Sequence, residues 1–437
     1  MKWSKYNYWL ESDKYGSFIY NAVTNSFIKV QSDLKAQVHN VLDWKKQFRD
    51  FPEEFQDILL KHKIVVEDQD DEDYYVKRKY AKFLSCFSNR AMNLTIATTT
   101  GCNFACPYCY EKGALVQTMN RETEKGIVDF VRNAGVKRLN VTWYGGEPLM
   151  NFESIVRLSE DFHNIPNVEG ITYGIITNGY FLDKEKALVL KKYNIKSIQI
   201  TIDGLAETHN KLRVAKDGQP TFERIVKNID EVVDLLPDCL FKVRVNINKQ
   251  NGEEYALLYK EFRNKWKEKK NFAIYFSFVE DYGQCDVDCY TSKEKIDFIR
   301  ELRERYGIST RNFYPRRTLG LCMAGSVNGF VIAPEGELYK CWSDIGKKDK
   351  IVGSVFDRKM VNYELLAHYA IDMDKFEDSK CKTCFLFPVC SGSCPAHRYN
   401  NLYKNQKHEI CPYESVNIDS VLEMIYEDYL MTKNQNV

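Results

Sequence analysis

From residue 92 onward, six short apolar runs alternate with helical stretches, and nothing else in the chain restricts its fold so tightly. The runs occupy residues 94–98, 139–143, 172–176, 197–202, 242–247 and 273–278. Strands alternating with helices build a mainly parallel sheet, because each helix carries the chain back to begin the next strand in the same direction. Six of them predict an α/β barrel or partial barrel, with its chemistry at the carboxyl ends of the strands, where the loops converge.

The flanking sequence reads differently. Residues 16–21 and 25–30 have the pattern of two strands around a polar turn, and Phe51, Phe55, Ile58 and Leu59 recur at helical spacing around the acidic pair Glu53 and Glu54. Residues 63–66 read as a further strand and the charge run 67–73 as a solvated boundary, so a small α+β N-terminal domain is placed at 1–90 and the barrel at 91–283. From 284 to 437 the periodicity gives way to cysteine-rich, loop-rich sequence closed by a helix near 419–430, a region expected to be stapled by metal rather than by a large core.

Charge and hydropathy exclude several classes. Lys and Arg number 62 against 61 Asp and Glu, so no overall field draws the 437-residue chain to nucleic acid. No stretch approaches the roughly 18 apolar residues of a membrane span, and Met1 to Tyr6 lacks an apolar targeting core, so a cytoplasmic protein with no membrane partner is expected. In that compartment the 14 cysteines point to metal binding or catalysis rather than to disulfides.

Cys102, Cys106 and Cys109 lie together on the loop that follows the first predicted barrel strand. Three thiolates held so close can ligate three irons of a cubane cluster and leave the fourth iron open to a small molecule. The blander readings are a zinc knuckle short of one ligand, or a disulfide with a spare thiol; structural zinc sites normally close with four ligands and more often use C-x2-C spacing.

With Tyr108 before its last cysteine, this C-x3-C-x2-C loop resembles the signature of the radical S-adenosylmethionine superfamily. Further segments resemble that family's motifs in order. Gly145-Gly146-Glu147-Pro148 resembles the GGEP element, implying backbone contact with the cofactor's methionine amino group and a carboxylate partner in Glu147. Thr177-Asn178-Gly179 ends the third strand, Thr201-Ile202-Asp203-Gly204 resembles the S/T-x-D-G element of the fourth, and Arg213 is suited to the cofactor's carboxylate. Arg244, Asn246 and Asn248 alternate along the fifth strand, where they could face the cofactor. By this resemblance the fold is a partial (β/α)6 TIM-type barrel, and Tyr108, Gly145, Gly146, Glu147, Asn178, Thr201, Asp203, Arg213 and Asn246 bind S-adenosylmethionine.

Seven more cysteines, Cys322, Cys341, Cys381, Cys384, Cys390, Cys394 and Cys411, are arranged similarly to the SPASM extension of radical enzymes that act on peptides. The resemblance implies two auxiliary four-iron clusters, three in all: one held by Cys381, Cys384, Cys390 and Cys411, the other by Cys322, Cys341 and Cys394. The fourth ligand of the latter is left open, with Cys285 and Cys289 as candidates; a pair of structural zinc ribbons is the alternative for the region. Cys239 reads as a small apolar residue.

Family chemistry implies reductive cleavage of S-adenosylmethionine and hydrogen abstraction from a precursor peptide bearing a leader, with a donor such as flavodoxin or ferredoxin. The expected outcome is a crosslink, a Cys thioether first and a carbon–carbon bond second. Formylglycine formation is the next alternative: in sulfatase maturases an Asp follows the second SPASM cysteine as base, whereas Trp342 follows Cys341 here, with Asp344 nearby. No catalytic base is assigned. The N-terminal pattern loosely resembles a winged-helix domain that adds a leader peptide as one more strand. The non-enzyme alternative is an iron-sulfur or zinc peptide-binding scaffold.

Overall fold

All six expected barrel strands form. The computed structural model describes residues 1–109, 111–113, 115–280, 287–309, 318–320, 322–357 and 359–434, in two units: 88–291 with 327–367, and 1–87 with 292–326 and 368–437.

In the barrel unit the strands are Ala91–Thr99, Arg138–Gly145, Gly170–Thr177, Ile195–Thr201, Leu240–Ile247 and Phe272–Phe278. Each pairs in parallel with the next, in chain order. Their sequences explain which face is buried and which is open. Leu139, Val141 and Trp143, like Phe241, Val243, Val245 and Ile247, are buried, while the alternate Thr142, Tyr144, Arg244 and Asn246 stay partly exposed. The apolar rows pack against amphipathic helices such as Phe222–Val232, which buries Phe222, Ile225, Val226, Ile229 and Val232. Each such side chain contributes roughly 1.5–3 kcal/mol.

The sheet runs on past the expected six. Gly329–Ile332 pairs in parallel with Ala91–Thr99, and Glu337–Tyr339 and Gly353–Ser354 follow antiparallel. These strands are too short to show a period in the sequence.

The other unit contains a three-stranded antiparallel sheet, Asn7–Ser12, Gly16–Asn21 and Ser26–Lys29, in that order. Its first strand was not expected, because polar Asn7, Glu11 and Ser12 mask the alternation around buried Leu10. The expected strand near 63–66 is Val65–Val66, paired with Lys2–Trp3, and the expected helix is Glu53–Lys61. The charge run is exposed to solvent except at Asp71. It opens the helix Asp70–Cys86, whose positive end favours acidic residues, and Asp71 is buried, accepting bonds from Ser4 Oγ at 2.7 Å and Lys5 N at 2.9 Å.

This unit has a real core. Tyr6, Tyr75, Phe376 and Phe387 form one buried cluster, and Tyr75 Oη donates to the Phe376 carbonyl at 2.6 Å. The C-terminal cysteine region is thus packed on aromatic side chains, in addition to whatever metal it holds. The closing helix is Ile418–Asn434. Cys239 is buried in the barrel unit, as its apolar reading requires. Among the described residues no helix is long and apolar enough to cross a membrane.

Candidate active site

The cysteine loop leaves the first barrel strand and is tied down along its length. Ala105 N donates to the Val214 carbonyl at 2.7 Å and Lys216 N to that of Asn103 at 2.9 Å. Asn178 Nδ2, from the end of the third strand, donates to Asn103 Oδ1 at 2.7 Å and lies 3.9 Å from Cys102 Sγ. Asn103 carries no family signal and was not singled out from the sequence.

Cys102, Cys106 and Cys109 are free thiols, which removes the disulfide reading of this loop. Burial pushes the Cys102 thiol up to about 11 and raises Cys106 and Cys109, with the Arg213 charge opposing all three shifts. Such thiols become thiolates when a metal takes the proton's place. Among the described residues no three His, Cys, Asp or Glu side chains converge as ligands of one metal ion; a four-iron cluster instead takes one thiolate per iron.

The glycine pair works against the loop itself. At Gly145, with φ of 128°, a Cβ would lie 2.1 Å from the Thr99 carbonyl oxygen, and at Gly146 one would lie 2.4 Å from that of Gly101. Gly146 N and Glu147 N donate to the Thr99 and Gly101 carbonyls, each at 2.9 Å. Only glycine allows that backbone approach. Glu147 is fully buried, and its carboxylate already accepts from Leu149 N at 3.0 Å, Thr177 Oγ1 at 2.7 Å and Asn178 N at 2.7 Å. It therefore braces the ends of the second and third strands.

Asp203, at the end of the fourth strand, organises the rest. It is fully buried, accepts from Asn246 N at 2.8 Å and from the Tyr108 hydroxyl. That hydroxyl receives Arg213 Nη1 at 3.2 Å and Asn246 Nδ2 at 3.3 Å. Arg213 Nε lies 4.0 Å from Asp203 Oδ2 yet makes no hydrogen bond, and buried Asn248 Nδ2 also lacks a partner. Arg213, whose charge acts on all three thiols, thus has a spare donor that fits a ligand bringing a carboxylate. Thr201 is buried at the same strand end.

His209, missed in the sequence, accepts from Asp203 N at 3.2 Å through Nδ1 while its Nε2 finds no partner. Burial, then the Arg213 charge, lower its pKa from 6.5 to about 3. The folded protein therefore keeps it neutral where the unfolded chain would protonate it, so its contribution is complete above pH 6.5 and shrinks on acidification. Urea unfolding at pH 7 and pH 5 is expected to differ by about 2 kcal/mol from this group, and His209→Asn should remove that part of the difference.

The C-terminal cysteines are distributed over both units. Cys381, Cys384, Cys390 and Cys411 share one, and Cys384 feels the charges of Cys390 and Cys411 while Cys381 feels that of Cys390. Cys322 and Cys394 belong to that unit and Cys341 to the barrel unit. Among the described residues no disulfide joins any of the seven or Cys289; Cys285 lies outside the described residues. Trp342, beside Cys341, stacks on Tyr144 of the second barrel strand at 5.9 Å, and Asp344 is buried 3.7 Å from Lys347 Nζ.

A parallel partial barrel with three free thiols at its first strand end and a polar network across the next four defines the class. Residues 96–262 match the model of the Radical SAM superfamily, and this stretch is a radical SAM domain. Among relatives, a cysteine-type anaerobic sulfatase-maturating enzyme of Clostridium novyi (strain NT) is 24% identical over 339 residues, covering 69% of this chain and 87% of the relative. The structure of native anSMEcpe with bound AdoMet and Kp18Cys peptide matches with a TM-score of 0.61 at 21% identity, over 79% of this chain and 99% of that one. Streptococcus suis SuiB bound to precursor peptide SuiA matches with a TM-score of 0.54 at 15% identity, over 94% and 99%. Both structural likenesses are of fold.

Proposed function

We propose that this chain is a radical SAM maturase that abstracts a hydrogen from a ribosomally made precursor peptide and installs a crosslink, a thioether from a Cys sulfur. The carrying observation is the trio of free thiols Cys102, Cys106 and Cys109, Cys106 buried and the other two partly buried, on the first strand's loop, which hydrogen bonds tie to the ends of the second, third and fourth strands. Bound there, a four-iron cluster and S-adenosylmethionine would supply a carbon-centred radical able to take a substrate hydrogen. The chain's own part is positional. Arg213 and Asn248 offer unpartnered donors to the cofactor, Asp203 and Asn246 hold Tyr108, and Glu147 fixes the strand ends. A one-electron donor of the flavodoxin or ferredoxin class would serve the cluster, and Cys322, Cys341, Cys381, Cys384, Cys390, Cys394 and Cys411 would take the auxiliary ligand roles that the resemblance implies.

The substrate class is supported by relatives and fold neighbours whose names or titles include a sulfatase-maturating enzyme and proteins with bound peptides. Trp342 favours crosslinking over formylglycine formation, since its indole has no basic nitrogen to deprotonate a substrate. The 24% identity to a sulfatase-maturating enzyme keeps formylglycine formation as the second reading. Mass spectrometry of a Cys-containing precursor co-expressed under anaerobic conditions tests both: loss of two hydrogens per event supports the crosslink, conversion of Cys to an aldehyde supports the second, and an unmodified peptide with no 5′-deoxyadenosine rejects both.

Leader recognition has a natural place on Ser26–Lys29, which pairs with Gly16–Asn21 on one side only among the described residues. Val30 N bonds to the Ser17 carbonyl, so by antiparallel alternation Phe27 and Lys29 turn their backbone groups outward. Lys29→Pro would delete one outward N–H without touching the ladder. Processing of the leader-bearing peptide should fall at least about tenfold, one lost hydrogen bond and a displaced strand, while S-adenosylmethionine cleavage without peptide is unchanged. Equal loss of both activities would count against recognition at this edge.

A further inference from the structure

Two buried cations surround the cysteines of the C-terminal block. Arg398 is 6% exposed and held at three points: Nη1 to Asp378 Oδ2 at 2.7 Å, Nε to the Gly392 carbonyl at 2.8 Å, and Nη2 to Cys381 Sγ at 3.4 Å. Lys375, 3% exposed, donates from Nζ to the carbonyls of Phe387 at 2.9 Å and Cys390 at 2.5 Å. Gly392 makes room for it: a Cβ there would come within 3.1 Å of the Lys375 stem. Gly392 N also donates to Cys390 Sγ at 3.3 Å. Asp378 pairs with Arg398 and Asp374 with Lys82 at 2.9 Å, which leaves the Lys375 ammonium without a carboxylate of its own in these pairs.

Aromatic packing alone would not call for this. A guanidinium aimed at a thiol sulfur, and an ammonium resting on the carbonyl of a second cysteine, suit a centre whose negative charge grows. Reduction of a thiolate-ligated cluster by one electron adds one negative charge, and hydrogen bonds to the sulfurs together with nearby cations in a low-dielectric interior favour that state.

We infer that Arg398 and Lys375 raise the reduction potential of the cluster held by Cys381, Cys384, Cys390 and Cys411, so that this centre takes up an electron more readily than it would without them. This rests on the auxiliary-cluster assignment in the proposed function. Both residues act through the cluster's ligands and are tuning residues, not catalytic ones. Arg398 carries the larger effect because it reaches sulfur directly, and its planar fork is what lysine cannot reproduce.

The test uses full-length protein, reconstituted anaerobically, in which Cys102, Cys106 and Cys109 are alanine so that the radical-site signal is silent. Potentiometric titration followed by electron paramagnetic resonance reads the remaining clusters, and the component lost in Cys384→Ala identifies the one in question. In Arg398→Gln the reduced-to-oxidised ratio of that component at fixed potential should drop about tenfold, a shift of about 59 mV downward for a one-electron couple. Arg398→Lys should fall between, and Lys375→Met should shift the component in the same direction by less. An unchanged midpoint in Arg398→Gln and Lys375→Met, with iron content retained, overturns the inference while leaving the cluster assignment intact. Should Arg398→Gln lose its iron, Arg398→Lys and Lys375→Met decide by the same criterion. Absence of any iron signal that Cys384→Ala removes overturns the assignment itself.

Discussion

Cys102→Ala, Cys106→Ala and Cys109→Ala combined are expected to abolish 5′-deoxyadenosine formation under reducing, anaerobic conditions while leaving iron bound elsewhere in the chain. The three thiols are the only cysteines on the loop that leaves the first barrel strand, and the strand-end carboxylates are engaged elsewhere: Glu147 accepts three bonds and Asp203 accepts from Asn246 and Tyr108. Iron content should fall by one cluster's share and the folded fraction should hardly change, because the loop is fixed by backbone bonds of Asn103 and Ala105 rather than by the sulfurs. Continued cleavage of S-adenosylmethionine in the triple variant would refute the assignment of the site; loss of all iron would mean that the clusters assemble only together.

The second large effect comes from the glycine pair. Gly145→Ala places a methyl group 2.1 Å from the Thr99 carbonyl oxygen at a φ of 128°, so it meets both a backbone clash and a conformation that L-residues rarely adopt. Strain of this kind and overpacking together cost about 3 kcal/mol or more. Relief requires the second strand's end and the cysteine loop to separate, which moves the thiols relative to Asp203 and Arg213. Cleavage activity should therefore fall by about 100-fold, the usual consequence of displacing reacting groups by about 1 Å. Denaturant unfolding checks the first figure and product formation the second. Wild-type stability and rate in Gly145→Ala would show that the loop is not held as described.

Much of the barrel was legible because its signal is local. Each parallel strand is an apolar run bounded by polar loops, and each motif segment sits where its strand stops, so strand order and motif order coincide. Harder to see were features whose cause lies far away in the chain. Asn103 matters only because Asn178 reaches it from the third strand, and His209 because the backbone of Asp203 points at its ring. Neither has a periodicity or a spacing to find. The short strand Gly329–Ile332 was hidden for the same reason: its partner, Ala91–Thr99, precedes it by more than two hundred residues.

The Gly-Gly-Glu segment gains contacts in the fold that the sequence does not show: beside the cofactor-facing role expected of it, the glycines meet the cysteine loop and Glu147 braces two strand ends. In the charge run after residue 66, exposed elsewhere, the helix Asp70–Cys86 turns Asp71 alone inward onto Ser4. Sequence by itself determined the alternation of strands and helices, the thiol spacing, and thereby the class of chemistry, since these depend on neighbours a few residues apart. Tertiary structure alone decided which polar groups meet at the strand ends, which buried cations attend the C-terminal thiols, and how the first and last segments share one aromatic core. Contacts between distant residues are set by how whole elements pack, and no short stretch of sequence contains that information.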